Sequence, residues 1–418
     1  STPSLNFTNP IRKKIHNPAR KAIKMNSDFH IEVEAQQKSH ENERICGDVF
    51  LSEKFKEENR LIIVLSDGLG HGVKANVLAT LTATMAMNFT KEHKDVHTIA
   101  EIIMNTLPVD NERKISYATF TILDISYDGQ ATILEFDNPR ALVLRGKKIH
   151  QPQWQTIVLK SEKNKGKELK SCTFQFQKED RIVVCSDGVV QSGLGTDKYP
   201  FGWGLDNFQE FVKRLVQNNP GIAANKLAQK VVNMAYQNDR YYAKDDTSCC
   251  AVYFREPRRL LITTGPPYES ENDPVLAEKV HSFEGKKIIS GATTGDIIAR
   301  ELNLEIEDSF EFEDPDLPPI SYMEGIDLVT EGILTLSKVA DILKRYDQNS
   351  ILKKGPADQI IRLLRDSDEI HFLIGTRINE AHQDPNLPVE LEIRRTVVKR
   401  IAKVLEEKFL KEVSLEYI

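Results

Sequence analysis

The chain has 418 residues, room for two or three domains, and a net charge of −6 from 56 basic and 62 acidic residues. That balance argues against broad electrostatic binding of nucleic acid, which needs a basic surface, and no apolar run approaches the ~20 residues that span a bilayer. No apolar signal core follows the N-terminus. The five cysteines, Cys46, Cys172, Cys185, Cys249 and Cys250, lack zinc-ligand spacing. Both features suit a cytoplasmic protein with free thiols, with neither membrane nor nucleic acid as partner. Residues 1–27 carry a basic cluster (Arg12, Lys13, Lys14, Arg20, Lys21, Lys24) that reads as a solvated helix or tail. "HIEVEAQQ" (30–37) alternates like a half-buried strand, and Leu61–Leu65 is a fully buried one. Helical spacing begins at Val73, and a second helix covers Val96 to Leu107. Strands follow at 117–125, 131–136, 140–145, 172–177 and 181–186, then helices at 206–217 and 221–237, and a strand ending near Phe254. Neighbouring strands with paired helices between them predict an α+β domain of antiparallel sheets over 28–257. From Arg258 the pattern becomes strand, turn, helix, repeated, which predicts a smaller α/β domain (258–418) with a mostly parallel sheet. "EFEDPDLPP" (311–319) is a loop within it.

Acidic residues stand at the ends of the apolar strands. "LIIVLSDGLGHG" carries Asp67, "RIVVCSDGVVQSG" carries Asp187, "KDDTSCCAVYF" carries Asp245 and Asp246, and "ICGDVFLSE" carries Asp48. One Asp-Gly is an ordinary turn; four such positions in one domain are not. Strands lying side by side bring these carboxylates together, and clustered carboxylates repel unless a cation sits among them. Mg²⁺ and Mn²⁺ take such oxygen ligands. Glycine beside an aspartate lets a backbone carbonyl approach the ion.

"DGLGHGVKA" (67–75), "SDGVVQSG" (186–193) and "DDTS" (245–248), with "CGDVF" (46–50) upstream, resemble the metal-dependent type 2C protein serine/threonine phosphatases. More narrowly, they resemble the bacterial branch typified by stage II sporulation protein E. The resemblance covers roughly residues 28–256. It implies an α-β-β-α sandwich of two antiparallel sheets flanked by helices, and two Mn²⁺ or Mg²⁺ ions. Asp67 would bridge the ions, with the Gly68 carbonyl on one of them. Asp187 and Asp245 would hold the first ion, and Asp48 would complete the shell of the second. The implied reaction hydrolyses phosphoserine or phosphothreonine on a protein through a metal-bridging water, with Asp67, Asp187 and Asp245 as the catalytic set. Asp246, Gly70 and His71 would support it from behind. The eukaryotic members have histidine directly after Asp-Gly, where this chain has Leu69, and Arg44 is the one candidate for a phosphate-binding arginine. In this branch the substrates are often phosphorylated anti-sigma-factor antagonists, which makes such a domain the expected partner.

Two other readings compete. "DGLGHG" is superficially a dinucleotide loop, but it is not G-x-G-x-x-G and no regular βαβ pattern follows. A catalytically weak sensor or scaffold is the second, against which every predicted ligand position is still an aspartate. In the second domain "SGATTGDIIAREL" (290–302) sets Gly291, Thr293 and Thr294 between a strand and a helix. Either the threonines cap the helix or the backbone N–H groups bind an anion. Residues 258–418 are thus expected to be a regulatory module for a small-molecule effector or a partner.

Overall fold

The computed structural model describes residues 29–93, 95–107, 118–347, 349–377 and 387–418; the basic N-terminal cluster lies outside them. The chain divides into two compact units, one through Arg255 and the other from Glu256.

The first unit contains two antiparallel sheets. Strands β1 (His30–Lys38), β2 (Asp48–Phe55) and β3 (Arg60–Gly68) precede helices α1 (Gly72–Glu92) and α2 (Val96–Thr106). Strands β4 (Ala118–Ser126), β5 (Gln130–Phe136), β6 (Leu142–Arg145), β7 (Lys148–His150), β8 (Gln155–Val158), β9 (Glu168–Gln175) and β10 (Asp180–Cys185) follow. The short helix α3 (Asp187–Val190), helices α4 (Leu205–Asn218) and α5 (Ala224–Asn238), and strand β11 (Thr247–Arg255) complete the unit. One sheet runs β2-β3-β4-β5-β9-β8 and the other β1-β11-β10-β6-β7.

Side-chain parity builds the layers. On β3, Leu61, Ile63 and Leu65 point into a core shared with Ile182 and Val184 of β10 and with Cys250, Val252 and Phe254 of β11. Ile62 and Val64 point the other way, onto Ala83, Ala86 and Met87 of α1 and onto α2. The opposite parity of β10 and β11 (Val183, Cys185, Cys249, Ala251) packs on α4 and α5. Both faces of each central strand are therefore covered, which is why these segments are apolar without alternation. Each buried aliphatic contributes about 1.5–3 kcal/mol. The result is the expected α-β-β-α sandwich. A strand beside Asp48 was expected without bounds; β7 and β8 were not anticipated, and β9 begins four residues before the expected strand. The charged end of β2 (Ser52, Glu53, Lys54) conceals its extent, although it pairs with β3 along its whole length.

The second unit follows a strand–helix rhythm. It comprises β12 (Arg259–Thr264), α6 (Asp273–Ser282), β13 (Lys286–Ser290), α7 (Ala292–Leu302), β14 (Ile306–Asp308), β15 (Ser321–Met323), β16 (Ile326–Thr330), α8 (Ile333–Arg345), α9 (Pro356–Asp366), β17 (Glu369–Ile374), α10 (Leu387–Glu407) and β18 (Glu412–Tyr417). The sheet order is β14-β15-β16-β13-β12-β17-β18. The five strands from β16 to β18 are mutually parallel, and a short antiparallel hairpin closes the other edge. Leu260, Ile262, Ile288, Ile370 and Phe372 face α8, α9 and α10, while Leu261, Ile289, Val329 and Leu373 face α6 and α7. The expected C-terminal helix is present, but the chain then returns as β18 beside β17. Among the described residues no helix is long and apolar enough to cross a membrane.

Candidate active site

The site lies where the two sheets of the first unit meet at one end. β2 and β3 pair so that Asp48 stands directly opposite Asp67. Asp48 thus opens a strand, whereas Asp67 is the penultimate residue of one. Asp187 opens α3 two residues after β10 ends, and Asp245 and Asp246 immediately precede β11.

Hydroxyl and amide groups fasten the sheets together here. Ser248 Oγ, on β11, donates to Asp48 Oδ2 at 2.6 Å. Gln37 Nε2 donates to the Asp48 carbonyl at 3.1 Å and to Ser248 Oγ at 3.0 Å. Ser248 N donates to Ser186 Oγ at 3.0 Å, and His40 N donates to Asp246 Oδ1 at 2.9 Å. Ser186 and Ser248 lie inside the motifs that flagged the aspartates, but nothing in those motifs indicated this bracing. Gln37 and His40 carried no signal.

Two glycines are required by close approach. A Cβ on Gly68 would lie 2.0 Å from the Ala75 carbonyl oxygen in α1, and one on Gly188 would lie 2.1 Å from the Asp246 carbonyl oxygen. The glycines of the motifs therefore let backbone segments pack against the aspartates.

Burial and mutual charge set the protonation of these carboxylates. Asp67 is pushed far above the usual carboxylate range, first by burial, then by the charge of Asp48, by a shared hydrogen bond and repulsion with Asp187, and by Asp245. Burial also raises Asp48, against the hydrogen bonds from Ser248 and Ser186. Asp245 is pushed up to about 7 by burial, then by the Asp187 charge. Asp48, Asp67, Asp187, Asp245 and Asp246 are thus one interacting group.

They do not form a ready-made shell: among the described residues no three His, Cys, Asp or Glu side chains are arranged to hold an ion. The donor set nevertheless fits a hard cation. Asp48 Oδ1 and Asp246 Oδ2 are buried acceptors without a hydrogen-bond partner, and a carboxylate left so is costly. Carboxylates that share protons turn toward each other; a divalent cation removes the reason for sharing them.

The remaining expected residues stand apart from this group. His71 precedes α1 with its side chain 55% exposed, its Nδ1 2.8 Å from Glu43 Oε1. It stacks on His40 at 4.4 Å. Gly70 is exposed with φ 94°, and Arg44 is exposed. In the second unit, the expectation that threonine caps α7 is corrected. Gly291, φ 139°, occupies the N-cap without a side-chain hydrogen bond. Thr293 is exposed and Thr294 buried, both already inside the first turn, where a hydroxyl is past the capping position.

Residues 57–255 match the family model described as stage II sporulation protein E (SpoIIE); the match begins after Asp48. The phosphoserine phosphatase RsbX of Bacillus subtilis (strain 168) is 26% identical over 172 residues, 40% of this chain and 79% of that protein. Among solved structures, the phosphatase domain of the cell fate determinant SpoIIE from Bacillus subtilis aligns over 55% of this chain and 94% of its own, at 16% identity and a TM-score of 0.41. RsbX in complex with magnesium aligns over 54% and 96%, at 20% identity and a TM-score of 0.38. Residues 57–255 of this chain are therefore a stage II sporulation protein E-like domain, similar to a bacterial phosphoserine phosphatase.

Proposed function

We propose that this chain hydrolyses phosphoserine or phosphothreonine on a protein substrate, using two divalent cations held by Asp48, Asp67, Asp187, Asp245 and the Gly68 carbonyl. The observation that carries this reading is the buried carboxylate group with its unpartnered Asp48 and Asp246 oxygens. Bound Mg²⁺ or Mn²⁺ would supply a Lewis acid for the phosphoryl oxygens and activate water as the nucleophile. The protein's part is placement. Asp67, on the pair with Asp48, sits between the two sheets' contributions. Ser248 and Gln37 fix Asp48 from behind, and the His40 N–H holds Asp246. His71 is engaged with Glu43 and His40, which supports a structural role over proton donation. The substrate class we favour is a small phosphorylated regulatory domain of the anti-sigma-factor antagonist type, on the family resemblance.

For the second unit we propose regulation by a small effector at the carboxyl ends of its parallel strands, where Gly291 and Gly332 open α7 and α8 without side-chain caps. A thermal-shift series on the full chain with nucleotides and inorganic phosphate tests this; no shift with any of them removes it.

The test of the main reading is turnover of a phosphoserine protein by the full chain. Activity should require added Mn²⁺ or Mg²⁺ and vanish with chelator. Intact metal binding without turnover would leave a scaffold as the function.

A further inference from the structure

Three loops at the carboxylate group are tied to one another. Residues 191–204 follow α3 and Asp187, residues 239–246 lead into β11 through Asp245, and residues 39–47 lead to Asp48. Asp239, 5% exposed, accepts from Gly193 N at 2.7 Å and from Lys244 N at 3.5 Å. Lys244 Nζ donates to the Leu194 carbonyl at 2.9 Å, and Asn238 Nδ2 to Ser192 Oγ at 3.0 Å. Glu41 N donates to the Ala243 carbonyl at 2.8 Å, and Ala243 N returns a bond to Glu41 Oε2 at 3.3 Å.

This bracing imposes a conformation that the local sequence disfavours. Arg240 and Tyr241, adjacent and neither of them glycine, have φ 57° and 61°. Two successive left-handed L-residues are costly and persist only where the surroundings enforce them. What the strained turn displays is aromatic: Tyr241 is 64% and Tyr242 53% exposed. The Tyr241 ring packs edge-on against Tyr236 at 5.4 Å. The loop tied to this turn exposes Leu194 and Phe201, the latter by 92%. Rigid aromatic side chains held in water are suited to contacting a polypeptide, because little side-chain freedom remains to be lost on binding.

Reach puts the two tyrosines within range of a substrate held at the carboxylates. Tyr242 and Tyr241 lie three and four residues before Asp245, so their Cα atoms are within about 11 and 14 Å of it. An extended peptide advances about 3.3 Å per residue. Residues two to four positions from a phosphoresidue held at the carboxylates would draw level with these side chains. We propose that Tyr241 and Tyr242, with Leu194 and Phe201, bind the polypeptide flanking the phosphoresidue and select apolar or aromatic residues two to four positions from it. The proposal rests on the phosphatase reading above.

The experiment uses the full chain with Mn²⁺, p-nitrophenyl phosphate, and a phosphoserine peptide library randomised at the flanks. Wild type should prefer peptides with apolar residues at those positions. In Tyr241→Ala/Tyr242→Ala, KM for the preferred peptides should rise about tenfold with kcat held, while aryl phosphate turnover stays within about twofold. Tyr241→Phe should keep the preference. Tyr241→Gly should keep or raise Tm, because glycine tolerates positive φ, and still lose the preference. A flat wild-type profile, an unchanged profile in the double variant, or equal losses on both substrates would overturn the proposal alone. No turnover of either substrate by wild type would overturn the phosphatase reading and the proposal together.

Discussion

In the first unit the strand ends carry Asp48, Asp67, Asp187 and Asp245; in the second the central strands end on Thr264, Ser290 and Thr330. Hydroxyls both donate and accept, so the second group can satisfy itself. Thr330 Oγ1 donates to Ser290 Oγ at 3.2 Å, and Ser290 Oγ donates to the Glu331 carbonyl at 2.9 Å. Ionised carboxylates only accept. Packed together they must take up protons or a cation, and two of their buried oxygens here have no partner. A strand end built of hydroxyls can satisfy its own polar groups, whereas one built of carboxylates needs protons or an ion from outside.

The largest effect should follow from removing the central charge. Asp67→Asn is expected to lower metal-dependent phosphatase activity by about three orders of magnitude, the several kcal/mol that such an ion supplies. The ion-free variant should melt at or above the wild-type Tm, since the change removes a repelled, buried carboxylate. The corresponding change at the hydroxyl group, Ser290→Ala, should do the reverse: cost about 1 kcal/mol in urea unfolding and leave activity untouched. If both variants lose stability alike, the contrast between the units fails.

Next comes Gly188→Ala. Its Cβ would meet the Asp246 carbonyl at 2.1 Å, and backbone yields poorly, so a loss of about 1–3 kcal/mol or more is expected in urea unfolding, with weakened metal binding. An unaltered midpoint would show that the Asp246 backbone moves freely.

The pH dependence should also separate ion-free from ion-bound protein. Folding raises Asp245 to about 7, from about 4 when unfolded. The folded state then holds more protons, so the stability of ion-free protein should fall as pH rises from about 4 to about 7. Saturating Mn²⁺, which favours the ionised carboxylate, should flatten or invert that slope in thermal melts. The same downward slope with and without Mn²⁺ would count against an ion among these groups.

The smallest effect belongs to His71→Ala. The exposed pair with Glu43 contributes at most about 1 kcal/mol, so kcat should stay within about threefold. A hundredfold loss would contradict the structural role of His71.

Asp67, Asp187 and Asp245 were legible because each adjoins a strand buried on both faces, where a charge is conspicuous. The α-β-β-α layering was legible for the same reason: strands such as Leu61–Leu65 must be covered on two sides. The bracing was not. Ser248 reaches Asp48 across 200 residues of chain and His40 reaches Asp246 across 206, and neither contact leaves a periodic trace. Of the two readings of Thr293 and Thr294, helix capping fails because the glycine before them takes a positive φ and itself becomes the cap. β18 was hidden because only its pairing with β17 makes an alternating, exposed segment a strand.

The most direct test is calorimetric titration of Mn²⁺ into the full chain near pH 6.5, in two buffers of different ionisation enthalpy. Protonated, crowded carboxylates must release protons as the ion binds, so the apparent enthalpy should depend on the buffer, and Asp67→Asn should abolish binding or sharply reduce the release. Absence of binding, or binding with identical enthalpy in both buffers, would contradict a metal centre at Asp48, Asp67, Asp187 and Asp245.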